Sequence, residues 1–182
     1  IRDMAETTAG FSFIELMTLL GKTKNLLKER VTVRDLGTIL ETISLQSKFN
    51  KDYDFLTERV REALARSICK QNLADNGELM AIILSPDVEK TLAQGISPDG
   101  QNMTIDPTYS KQLYSSLDNE IKKALMTYNC QPVILCSSPI RLQFRRFIEN
   151  YYPQFSIMSY NEINTSIKVK SVGVIRLEAV KS

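Results

Sequence analysis

A few residue patterns in this chain resemble parts of catalytic sites. Residues 21–23 (GKT) resemble the end of a phosphate-binding loop, but the full pattern needs glycine at position 16, where Leu16 stands, and no apolar strand precedes it. We interpret them as a lysine-rich break in a helix. Ser137 and Ser138 follow a predicted strand, where a nucleophile could lie. Helix capping explains them better because no histidine is present to activate them, and a Ser–Lys pair is the remaining alternative.

The absence of histidine excludes the Ser-His-Asp and Cys-His systems and most zinc sites. Cys69, Cys130 and Cys136 are odd in number and widely spaced, so they predict a reducing compartment and no disulfide framework. Asp87 and Glu89 follow a predicted strand and are typical of acids in the first turn of a helix. We therefore expect no enzyme activity, no cofactor and no metal.

The size and charge of the chain set further limits. A length of 182 residues suits one medium domain or two small ones. The 23 basic and 21 acidic residues give a net charge of +2, which is too balanced to indicate a polyanion partner. No apolar run approaches the ~20 residues of a membrane span, and no signal peptide is visible. Because the chain begins with Ile1, we expect an excised fragment, whose link to a membrane would come from sequence not present here.

The first part of the chain has helical periodicity. We expect a lead-in over 1–10 and a helix over 11–27. A short turn then leads into a second helix, with Thr32 as its N-cap and Asp35 three residues on. Its apolar face contains Leu36, Ile39, Leu40 and Ile43.

After a polar loop over 44–51, a third helix is predicted to begin at Asp52 or Asp54 and to run to about Asn72. Its inward stripe consists of Phe55, Leu56, Val60, Leu64 and Ile68. Its solvent face carries charges of both signs, from Glu58, Arg59, Arg61, Glu62 and Arg66.

After the turn at 74–77, strands and helices alternate. The predicted strands are 79–84, 133–136, 155–158 and 167–175. Three helices begin with a capping side chain before a proline, at Ser85, Asp106 and Ser138. Their inward residues include Leu125 and Tyr151.

These patterns predict an α+β fold. We expect an all-helical subdomain over 11–77, followed by a small α/β subdomain over 78–182. The α/β subdomain would hold a sheet of about four strands covered by helices.

A nucleic-acid-binding regulator is the alternative to a protein-binding role. The helix, two-residue turn at 31–32 and following helix resemble a helix-turn-helix. A basic helix face is suggested by Arg141, Arg145 and Arg146. However, Asp35 and Glu41 would project from the recognition helix, and the net charge is nearly neutral, which disfavours phosphate binding.

Five segments, in the same order, resemble the export-gate proteins of type III secretion and flagellar export, the FHIPEP family. Residues 26–41 (LLKERVTVRDLGTILE) resemble the signature LL-x-ERV-x-IRDL-x-TILE of that family. Residues 56–66 (LTERVREALAR) and 84–89 (LSPDVE) resemble two further motifs of the family. So do residues 131–141 (QPVILCSSPIR) and 158–163 (MSYNEI), and the resemblance covers nearly the whole chain.

The resemblance implies a non-enzymatic scaffold. Members of the family have a membrane-spanning N-terminal half and a cytoplasmic half of four subdomains, of which this chain resembles the last two. They form a ring, typically of nine subunits, on the cytoplasmic face of the bacterial inner membrane. The ring receives chaperone–substrate complexes, the stalk protein of the export ATPase and other export-apparatus proteins. Because the main chaperone cleft lies in the first two subdomains, we expect this soluble fragment to lack most of it.

In such a ring, the charged faces of the helical subdomain are candidates for contacts with neighbouring proteins. Charges of both signs set the register and orientation of a contact more than its affinity. We predict that this surface includes Arg30, Arg34, Asp35, Glu41, Glu58, Arg59, Glu62 and Arg66. We expect the isolated fragment to be monomeric or weakly associating.

Overall fold

The computed structural model describes residues 24–177. The chain divides into two compact units between Gln71 and Asn72, while the subdomain limits at 77 and 78 stay a prediction. The predicted lead-in over 1–10 and most of the predicted helix over 11–27 lie outside the described residues.

The first unit is helical. Its described helices are α1 (Lys24–Lys28), α2 (Leu36–Gln46), α3 (Tyr53–Ala63) and α4 (Ala65–Gln71). Helices α2 and α3 pack against each other. Helices α2, α3 and α4, together with Leu64 between α3 and α4, contribute the buried apolar residues Ile39, Leu40, Ile43, Leu56, Val60, Leu64, Ile68 and Cys69.

The predicted start of α2 is wrong. The N-cap is Asp35 and not Thr32, because the chain first makes a tight turn after α1. Arg30 adopts a left-handed conformation with φ of 58°, and the Val31 N–H donates to the Leu26 carbonyl at 2.9 Å. Leu36 is therefore the first residue of α2, where it is 44% exposed instead of buried.

The third helix also differs from its prediction. Its start is confirmed, since Asp52 is the N-cap and accepts a hydrogen bond from the Phe55 N–H at 2.9 Å. However, the helix ends at Ala63, and the chain continues into the separate helix α4. Helix α2 likewise extends to Gln46, so the predicted polar loop over 44–51 begins later than expected.

The second unit contains a parallel four-stranded sheet in the order β3-β2-β1-β4, which confirms the predicted fold class. The strands are β1 (Leu79–Leu84), β2 (Val133–Cys136), β3 (Ile157–Ser159) and β4 (Val169–Ile175). The helices are α5 (Pro86–Gln94), α6 (Pro107–Tyr128) and α7 (Ser138–Ile148). A 3₁₀ turn over Tyr160–Glu162 follows β3.

The core of this unit joins all three helices to the sheet. Met80, Ile82 and Leu84 alternate along β1 and share one hydrophobic cluster with the inward residues of the helices. Those helical residues are Val88, Leu92, Leu113, Leu117, Ile121, Ala124, Ile140, Phe144 and Ile148.

Among the N-caps of α5, α6 and α7, only the N-cap of α6 forms a side-chain hydrogen bond. Asp106 accepts from the Thr108 and Tyr109 N–H groups at 2.8 and 3.1 Å. The side chains of Ser85 and Ser137, the N-caps of α5 and α7, make no such bond. The predicted N-cap at Ser138 is wrong, because Ser138 is already the first residue of α7.

Two residues that were predicted to point into the core are exposed. Leu125 is 41% exposed, since Ala124 occupies the buried position three residues after Ile121. Tyr151 is 68% exposed because α7 ends at Ile148 and the helical period does not reach it.

The predicted basic face of α7 is also wrong. Arg141 and Arg145 are buried, so they do not present their charges to solvent. Arg145 donates to the carbonyls of Tyr152 and Phe155 at 3.4 and 3.1 Å, and Arg141 donates to that of Ile157 at 3.4 Å. The two arginines thus hold the segment that leads into β3.

Candidate protein-interaction surface

The structure separates the eight predicted contact residues into two groups. Arg30, Arg34 and Asp35 lie on the connection between α1 and α2, and Glu41 lies on α2. All four are exposed. The tight turn at Arg30 and the N-cap at Asp35 position this group.

Asp35 has a defined local role. Its carboxylate accepts hydrogen bonds from the Thr38 N–H at 3.1 Å and from the Thr38 hydroxyl at 2.8 Å. These bonds, the backbone one first, lower the pKa of Asp35. The carboxylate is therefore ionised at neutral pH, at the positive end of α2.

The second group lies on α3 and α4. Arg59 and Glu62 are in direct contact, through two N–O pairs of 2.9 and 3.0 Å. The Arg59 guanidinium also lies 5.5 Å from the centre of the Phe55 ring. Glu58 is half-buried on α3, whereas Arg66 is exposed on α4. Because Arg59 and Glu62 neutralise each other, they offer less charge to a partner than the sequence suggests.

A buried ion pair was not predicted from the sequence. The Arg61 Nη1 lies 3.0 Å from the Glu29 Oε2, and the two side chains are only 3% and 9% exposed. The prediction that Arg61 belongs to the solvent face is therefore wrong. Its spacing was the available signal, because Arg61 stands four residues after Thr57 and three before Leu64, which are both buried.

A group of exposed apolar side chains was also not predicted from the sequence. Within the described part of the first unit, the exposed large hydrophobic residues are Leu27, Leu36, Leu45, Phe49 and Tyr53. Phe49 is 82% exposed, in a segment that was predicted only as a polar loop. The signal was a lone phenylalanine between Lys48 and Lys51.

Side chains that follow the parallel strands make contacts that support the neighbouring elements. The Glu89 carboxylate accepts a hydrogen bond from the backbone N–H of Ser137 at 2.8 Å and thus supports the start of α7. Burial, followed by the nearby charge of Glu89, raises the pKa of Tyr160. Over residues 24–177, no group of three or more Cys, Asp or Glu residues is arranged to hold a metal ion.

The connection between α1 and α2 is too long for the predicted helix-turn-helix. Residues 29–35 form a seven-residue connection between α1 and α2 in place of the predicted two-residue turn. With Arg141 and Arg145 buried, the basic face that favoured nucleic acid is also missing from α7. None of the helices in the described range has the length and apolar character needed to cross a membrane.

Comparison with known proteins identifies the family of the chain. The model of the FHIPEP family matches residues 9–168. The chain therefore belongs to the FHIPEP family, whose members include proteins of flagellar export and type III secretion.

Three similar proteins place the chain within this family. The flagellar biosynthesis protein FlhA of Bacillus subtilis is 34% identical over 152 residues, which is 82% of this chain and 22% of the relative. The nonameric SctV-C of EPEC has a TM-score of 0.78 and 28% identity, covering 94% of this chain and 51% of that one. The Chlamydia pneumoniae CdsV, solved in complex with CdsO, has a TM-score of 0.80 and 27% identity, covering 94% and 50%.

The matched region is only part of each relative. The chain spans less than a quarter of the length of the curated FlhA relative and about half of each solved chain. The two units correspond to a portion of these longer proteins.

Proposed function

We propose that this chain is a non-enzymatic part of an export gate for type III secretion or flagellar protein export. Its role is to make contacts between copies in a ring on the cytoplasmic face of the inner membrane. The observation that carries this proposal is its likeness, over 94% of its length, to an EPEC SctV-C that was solved as a nonamer. Family membership supports the same role.

The first unit supplies the proposed contacts between copies. Arg30, Arg34 and Glu41 are exposed around the start and middle of α2, and Asp35 is held ionised there. Glu58, Arg59, Glu62 and Arg66 extend the proposed surface onto α3 and α4. Charges of both signs favour one orientation of the neighbouring copy over others.

The assembled ring would serve as a docking platform for other proteins. The CdsV relative was solved in complex with CdsO, which supports docking of the stalk protein linked to the export ATPase. Chaperone–substrate complexes and other export-apparatus proteins are further proposed partners. The buried Arg141 and Arg145 give no support to nucleic acid as a partner.

Charge reversal tests the ring contact. We would introduce Arg34→Glu and Asp35→Lys singly into the protein in its own cells, with Lys122→Glu on α6 as an exposed control. Ring assembly would be measured by native mass and protein export by secretion assay. We expect both reversals to reduce assembly and export, and the control to leave them unchanged. Normal assembly in both reversals would count against these residues.

Because Asp35 also caps α2, its variant needs a separate measurement of stability. The thermal midpoint of each variant would be determined beside its assembly. Arg34 makes no helix cap, so Arg34→Glu is expected to change assembly with little effect on the midpoint.

A further inference from the structure

Two exposed large apolar side chains lie where α2 ends, in the described part of the first unit. Leu45 is 50% exposed and Phe49 is 82% exposed. The Phe49 N–H donates to the Gln46 carbonyl at 3.0 Å, so the helical turn continues past the end of α2. Leu45 and Phe49 are four residues apart and therefore share one side of this turn. Exposed aromatic residues of this kind are typical of protein–protein contacts.

A second exposed apolar residue marks the opposite end of the same helix. Leu36, the first residue of α2, is 44% exposed beside the ionised Asp35. At about 1.5 Å per residue, the 11 residues of α2 separate the two ends by roughly 15 Å. The helix thus offers two different apolar patches, one at each end.

Two different patches are what a ring of identical copies requires. A contact that uses the same patch on both copies closes a dimer, whereas a ring needs one patch to bind a different patch on the next copy. We propose that Leu45 and Phe49 of one copy dock against the Leu36 end of α2 in a second copy. This inference rests on the proposed function and names the contact through which that assembly forms.

The surrounding charges agree with this pairing. Lys48 and Lys51 lie on either side of Phe49 in the sequence and are exposed, whereas Asp35 lies next to Leu36. Arg34 beside Asp35 reduces the net attraction, so the charges orient the contact and the apolar residues supply most of the binding energy. The Arg59–Glu62 pair, already joined within one copy, contributes less.

Site-specific photo-crosslinking tests the contact in the protein as it occurs in its own cells. The crosslinking amino acid p-benzoyl-L-phenylalanine would replace Phe49 in one strain and Met126 in a control strain. Met126 is 87% exposed on α6, so the two probes have similar access to solvent. We expect the probe at position 49 to join two copies at peptides around Leu36. Crosslinks to a different protein, to another surface, or no more frequent than at position 126 would overturn the proposal.

Alanine substitution provides an independent measurement. Phe49→Ala is expected to weaken association between copies by about tenfold or more, as for central aromatic residues of interfaces. Its thermal midpoint should not change, because Phe49 packs against little of its own chain. Met126→Ala should change neither quantity. If the wild-type protein assembles and Phe49→Ala assembles equally well, this inference fails while the proposed function stands. If the wild-type protein does not assemble, both fail.

Discussion

The Arg61 guanidinium lies 3.0 Å from the Glu29 carboxylate, and both side chains are almost fully buried in the helical unit. The pair joins the connection after α1 to the inner side of α3. Because Glu29 immediately precedes the left-handed Arg30, the ion pair also holds the turn that presents Arg30, Arg34 and Asp35. The surface that we propose for contacts therefore depends on a buried interaction behind it.

Removal of either partner of this pair should destabilise the protein strongly. Arg61→Ala or Glu29→Gln breaks this buried ion pair, which costs about 3–5 kcal/mol. Urea denaturation, followed by far-ultraviolet circular dichroism, measures the change. The half-buried pair is the matched control: Glu62→Gln, which breaks the contact with Arg59, should cost about 1 kcal/mol or less. Equal losses in the free energy of unfolding would show that the buried pair stabilises the protein no more than the Arg59–Glu62 pair does.

The cap of α2 can be located by two alanine substitutions. Asp35→Ala should lower the thermal midpoint, since it removes both hydrogen bonds to Thr38, whereas Thr32→Ala should leave it nearly unchanged. The Thr38 bonds lower the pKa of Asp35 below its ordinary 3.8. The stabilisation is thus present above pH 3.8 and is lost as the pH falls through the lowered value. A larger decrease in the thermal midpoint for Thr32→Ala would instead support Thr32 as the N-cap of α2.

Two glycines should respond oppositely to alanine. At Gly95, a Cβ would lie 2.6 Å from the Thr104 carbonyl oxygen, and we expect a loss of about 1–3 kcal/mol. At Gly37, the nearest atom is an Asp35 oxygen at 3.8 Å, so alanine fits and should stabilise α2 by up to about 1 kcal/mol. Chemical denaturation measures the change in the free energy of unfolding for both variants. A stabilising Gly95→Ala would contradict the close packing of Gly95 against Thr104.

The stability of the second unit should fall at alkaline pH. Tyr152 donates a hydrogen bond to the Asp118 carboxylate at 2.7 Å. Burial, followed by this bond and the charge of Asp118, raises the pKa of Tyr152 above its ordinary 10.0. The folded state therefore holds its proton more tightly, so this stabilisation is complete below pH 10.0 and is lost as the pH rises beyond it. Tyr152→Phe should lower stability at neutral pH and flatten the decline between pH 10 and 12. An unchanged slope would contradict this role.

The elements with a strong periodic signal could be predicted from the sequence. Three features lie where expected: the apolar run at β1, the aspartate–proline start of α6 and the N-cap at Asp52. Each of them depends on residues within a few positions of one another. The start of α2 could not be predicted in this way. It depends on the left-handed Arg30 and on Glu29 meeting Arg61 from a distant part of the chain.

The candidate surface was predicted by its charges, and its apolar part was missed. Exposure of Phe49 and Leu36 depends on where α2 begins and ends, which the periodicity did not locate. Arg61, Arg141 and Arg145 show the converse error, since arginine in a sequence suggests a solvent face although packing buries all three.

We propose that copies of this chain assemble through the first unit. The most direct measurement is the native mass of the protein isolated from its own cells, for the wild type and for Arg34→Glu. We expect a closed assembly of many copies for the wild type, comparable to the nonamer of the EPEC relative, and its loss in the variant. A wild-type protein that remains a single copy at its cellular concentration would contradict assembly through the first unit.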